Sequence, residues 1–152
     1  MSFPGVPAPF GGSFDREDDK IVNQVDPNIF VDDPNARRVI VVVVYNHLDS
    51  DLFFIGSSVG AGGFTPAFVP PEKIGNKSAG AYRLQSSGGG AAVNVTARYG
   101  LLPDDSQSAL SVTVSALDGG GFTETAGSSI GFSTDVAASP GDHRQVDVDL
   151  TP

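Results

Sequence analysis

The stretch "RRVIVVVVYN" holds six aliphatic residues in succession, 39–44, and constrains the fold more than any other part of the chain. Side chains of a strand alternate between its two faces, so Val39, Val41 and Val43 point opposite to Ile40, Val42 and Val44. An ordinary surface strand keeps polar residues for the face turned to water, and this one has none to keep. Its second face needs cover from a bilayer, from the rest of the fold, or from another chain. The apolar run is too short for the first, since a helical span takes about 20 residues. The pattern predicts a strand buried on both faces, with Ile40, Val42 and Val44 expected to contribute to contacts between subunits.

Composition changes sharply at Arg37. Residues 1–36 hold Pro4, Pro7, Pro9, Pro27 and Pro34, three glycines, and an acidic cluster at 15–19. No helical or alternating period runs through them, which reads as an extended arm preceding a domain at 37–152. Yet the arm carries Phe3, Phe10, Phe14 and Phe30, four of the chain's ten phenylalanines. Disordered segments are poor in aromatics, and burying one Phe gains about 1.5–3 kcal/mol. The arm is expected to dock, with these four rings as contacts to neighbouring subunits. Its first residues have neither a basic region nor an apolar core of the kind a secretory signal needs, so no such signal is expected.

From Arg37 onward the chain reads as β throughout. Expected strands fall at 39–46, 52–59, 63–69, 81–86, 92–99, 109–117, 121–125, 130–134 and 144–150, separated by Gly, Pro and Asp clusters. "VNVTARY" places Val93, Val95, Ala97 and Tyr99 on one face, and "QVDVDL" does the same for Val146, Val148 and Leu150. The fold class expected is all-β: an antiparallel β-sandwich of about eight or nine short strands with an N-terminal arm.

A formal charge of −9 and a pI near 4.3 argue against nucleic acid as a partner, because little is available to neutralise phosphates. They argue equally against electrostatic capture by anionic headgroups. Without cysteine there is no disulfide framework and no thiolate metal site. His47 lies beside Asp49 and Asp51, and His143 follows Asp142, but no nucleophile motif accompanies either. "DSD" at 49–51 and "DD" at 104–105 lack calcium-loop spacing and suit turn capping. "GNKS" at 75–78 reads as a β-turn. The glycine-rich turns at 60–63, 88–90 and 119–121 read as positions needing positive φ. No catalytic residue, cofactor or metal is expected.

An aliphatic strand closing on Asn ("VIVVVVYN"), a second strand, "GG" with an aromatic, a Pro pair, a Gly/Ser turn and a strand ending in Tyr-Gly follow in order. This succession, residues 39–100, resembles the aegerolysin and actinoporin-like β-sandwich proteins, and "GGFTPAFVPPEKI" at 62–74 carries it most closely. The resemblance implies a sandwich and action at membranes. It assigns no lipid-contacting residue, because the chain has no Trp and its three tyrosines fall within expected strands.

Two functions are expected from these features. The first is a non-enzymatic assembly protein, such as a capsid, decoration or tail component of a virion. Its arm would dock on copies of itself or on other structural subunits, in a virion or cytoplasmic assembly. The alternative is an aegerolysin/actinoporin-like protein that binds membrane lipid or forms pores.

Overall fold

All eight residues of the strand Val39–Asn46 are buried, and two different layers bury them. The computed structural model describes residues 21–152. In chain order the strands are β1 (Val22–Asn23), β2 (Val39–Asn46), β3 (Leu52–Ala61), β4 (Gly63–Phe64), β5 (Lys73–Ile74) and β6 (Ser78–Gln85). They continue with β7 (Val93–Gly100), β8 (Leu110–Ala116), β9 (Phe122–Gly127), β10 (Ser133–Ala138) and β11 (His143–Thr151). One sheet runs β1-β6-β2-β11-β10, with β4 also on β6, and the other runs β5-β3-β7-β8-β9. The two pack as the all-β sandwich the punctuation predicts.

Between the sheets, Ile40, Val42 and Val44 of β2 join Tyr82 and Leu84 of β6 and Val146, Val148 and Leu150 of β11. Facing them are Leu52, Val93, Val95, Tyr99, Leu110, Val112 and Val114 from the second sheet. The pairing departs from a purely antiparallel sandwich in two places. β11 lies parallel to β2, with Val42 opposite Val146, and β1 lies parallel to β6. The β10–β11 turn sits at the end where β2 begins, so β11 must start there and run alongside it.

The outer face of β2 is covered by residues 21–36 of the same chain. Val25, Ile29 and Phe30 pack on Val39, Val41, Val43, Tyr45 and Ala79. The segment is shaped locally by a 3-10 turn, Pro27–Phe30, whose first residue fixes φ and whose cap is Asp26. Asp26 Oδ1 accepts from the Asn28 N–H at 2.9 Å. From β6, Arg83 Nη1 donates to the carbonyls of Ile29 (3.2 Å) and Val31 (2.6 Å), tying the segment down. His143 closes its far end through Asp32 and through the Ala36 carbonyl at 2.8 Å.

This corrects the expected role of four residues. Phe30, Ile40, Val42 and Val44 are at most 1% exposed within a single chain, so they offer no surface to another subunit. Ile40, Val42 and Val44 pack against the second sheet, and Phe30 packs on the outer face of β2. Phe3, Phe10 and Phe14 lie outside the described residues.

Candidate ligand-binding site

Strand β6 carries β1 against Ser78 and Ala79 and β4 against Leu84 and Gln85, and among the described residues no strand pairs with its edge between them. On that edge the Gln24 N–H donates to the Ala79 carbonyl (3.1 Å) and the Thr65 N–H to the Arg83 carbonyl (2.8 Å). Backbone groups of alternate residues point to the same edge of a strand. Ala81, midway between Ala79 and Arg83, must therefore turn both its N–H and its C=O outward into the gap.

A cleft of about 220 Å³ opens there, lined by Gln24, Asp26, Ile29, Phe68, Lys73 and Ala81 among others. The turn Pro27–Phe30 forms one wall and a second 3-10 turn, Pro66–Phe68, the other. Pro66 has no N–H to offer a ladder, so the chain leaves β4 there and the expected strand at 63–69 is cut to two residues. The Phe68 ring also lies within 5.9 Å of the Arg83 guanidinium. Burial lowers the Arg83 pKa, and Asp33 and Asp32 oppose that shift. Gly80 lets the floor close up, since a Cβ there would come within 2.9 Å of Ile74 Cγ1. Lys73 is exposed, with Nζ 4.0 Å from an Asp51 oxygen.

The three glycine-rich turns converge on one end of the sandwich, where β2, β7, β9 and β11 begin. Gly62, Gly88 and Gly119 have φ of +64°, +59° and +77°, as the turn reading requires. Arg38, buried at the foot of β2, holds this end together. Its Nη1 donates to the Leu117 carbonyl and its Nη2 to the Gly120 carbonyl, both at 2.9 Å, while Nε meets Asp142 at 3.1 Å. Arg38 and Arg144 both stack on the Phe122 ring, at 4.6 and 3.4 Å from its centroid. Arg37 reaches the Gly89 carbonyl at 3.3 Å and lies 4.0 Å from Asp118. Asp118 and Asp142 are thus matched by Arg37 and Arg38, and at the tip Leu117 is 70% exposed.

The opposite end is acidic, with Asp49, Asp51, Asp104 and Asp105 against Lys73 and Lys77. Asp51 accepts from the backbone N–H of Asn76 (2.8 Å) and from its side chain (3.1 Å), and these bonds hold its carboxyl below the usual range. "DSD" and "GNKS" therefore brace each other as neighbouring turns. His47 meets Asp149 at 2.8 Å, and His143 serves the 21–36 segment. Neither is bonded to a serine hydroxyl among the described residues.

The described residues form a two-sheet β-sandwich with an open cleft on the edge of β6. No protein-family model and no curated protein sequence matches this chain. Among solved structures it is similar to the lipid binding protein Nakanori, with a TM-score of 0.58 at 13% identity over 76% of this chain and 71% of that one. It is similar also to IP-1A from Alcaligenes faecalis, with a TM-score of 0.57 at 8% identity over 77% and 94% of the two chains. The Xerocomus chrysenteron lectin XCL follows, with a TM-score of 0.50 at 12% identity over 75% and 99%. At such identities the likeness establishes a shared sandwich over about three quarters of this chain.

Proposed function

We propose that this chain is a non-enzymatic, aegerolysin-like lipid-binding protein that meets a membrane with its glycine-turn end. This reading is the alternative above, and the structural likenesses favour it over virion assembly. The observation that carries it is the composition of that end: an exposed Leu117 on a turn whose carbonyls are fixed by Arg38, with local acids matched by arginines. A chain of net charge −9 is repelled by anionic headgroups, so contact must come through a charge-balanced surface and favour neutral or zwitterionic lipid. Prefixing the turns also lowers the ordering cost of binding. Burying one leucine contributes about 1.5–3 kcal/mol, which is weak alone and calls for several copies side by side on the membrane.

Co-sedimentation with phosphatidylcholine–sphingomyelin vesicles tests the reading. The wild-type chain should pellet with these vesicles at low and high salt alike. L117E should lose pelleting, whereas L102E, altering a residue 60% exposed at the acidic end, should keep it. No pelleting with any vesicle, or equal behaviour of the two variants, removes the proposal.

A further inference from the structure

We infer that the cleft on the β6 edge binds a free α-amino acid with an apolar side chain. This site is independent of the membrane-facing end and does not rest on the lipid reading.

Three features of the cleft converge on that chemistry. The first is the backbone of Ala81, which presents a donor and an acceptor from one residue on one edge. A simple trans amide cannot answer both, since its own N–H and C=O point in opposite directions. An α-amino acid can, because its ammonium and carboxylate branch from the same carbon. The second is charge. Lys73 and Asp26 line the same cleft with opposite signs, matching the two ends of a zwitterion. Asp26 spends Oδ1 on the Asn28 N–H and has its second oxygen left for an ammonium. The third is the wall. Val25, Ile29, Phe68 and Val69 are apolar and suit an aliphatic side chain.

The volume of the cleft and its flanking strands suit a small ligand. A cleft of about 220 Å³ has room for a ligand the size of an amino acid. β1 and β4 close the edge on either side, so an extended peptide has no run of free backbone to pair with. In the bound state the ligand carboxylate accepts from the Ala81 N–H and Lys73, and its ammonium donates to the Ala81 carbonyl and Asp26.

Titration calorimetry of the full chain with L-leucine, leucinamide and 4-methylpentanoate tests this. L-leucine should bind, and each analogue, lacking one charge, should bind about tenfold or more weakly. K73Q should weaken leucine and 4-methylpentanoate while sparing leucinamide. D26N, which keeps the turn cap, should do the mirror image. A67W should fill the cleft and abolish binding, with circular dichroism confirming the fold. No heat with millimolar leucine, or equal binding of leucine and leucinamide, overturns the inference. Vesicle pelleting should be the same for K73Q and wild type, so failure here is separate from failure of the lipid reading.

Discussion

The two sheets have outer faces of opposite character. On the first, Val39, Val41, Val43 and Tyr45 are fully buried beneath Val25, Ile29 and Phe30. On the second, β7, β8 and β9 turn Asn94, Thr96, Arg98, Ser111, Thr113, Ser115, Thr123 and Thr125 outward, with Thr96 and Thr113 hydroxyls bonded at 2.8 Å. Both sheets share one core, so the difference lies in what the free face must do. Hydroxyls stay hydrated and need no cover. Four large apolar side chains in a row do need it, and the chain spends residues 21–36 supplying it. The lesson is that an unalternating strand marks a third layer, which here comes from the same chain.

Substituting one residue at the same level on each face separates them most sharply. V43D should cost at least about 4 kcal/mol or prevent folding, because it buries an unpaired carboxylate. T113D should cost only about 1 kcal/mol in urea unfolding, from the lost Thr96 bond and the weak strand preference of Asp. Similar costs for both would mean the first face is open in solution. F30A comes next, at about 3 kcal/mol from the cavity it leaves beneath the 21–36 segment. Hydrogen exchange should then rise first at residues 25–36, with β7 and β8 unchanged.

R83M should cost less, about 1 kcal/mol. It strips the Ile29 and Val31 carbonyls of their donor, but it also removes a buried Nε that has no partner. Limited proteolysis within 26–36 should accelerate if Arg83 holds the cover down. The smallest effect is a control away from both faces. The Asp51 pKa is depressed, first by the Asn76 backbone bond and then by its side chain, so its contribution to stability is present above the unfolded value of about 3.9. That contribution disappears as pH falls through the lower folded value. D51N should flatten this part of the acid-unfolding curve without touching the difference between the faces.

Much of the framework was legible. β2 spans 39–46 as its valines predict, and the alternation of "VNVTARY" sorts Val93, Val95 and Tyr99 to the core and Thr96 and Arg98 outward. A strand expected at 130–134 begins instead at Ser133, because Ser128 Oγ accepts from the N–H groups of Ile130 and Phe132 and Gly131 adopts φ +99°. Treating 1–36 as one arm overlooked a signal that was present. "DPNIF" is a capped turn with Pro at its first position, preceded by apolar Val25 and ending in apolar Ile29 and Phe30.

The cleft was not legible. Gln24, Asp26, Phe68, Lys73 and Ala81 meet only because two short strands stop on the same edge of β6. The glycine-turn end was half legible: the turns show in the sequence, whereas the single arginine that joins two of their carbonyls does not.

By itself the sequence determined the local terms: strand periodicity, turns that need glycine or proline, the absence of helix, and the need to cover both sides of 39–44. Side-chain alternation and backbone preference act over a few residues, so they can be read from a few residues. Tertiary structure alone decided which segment supplies the cover, that β11 returns parallel to β2, and that among the described residues one position of the β6 edge stays open. Those outcomes depend on contacts between positions far apart in the chain, and only packing selects among them.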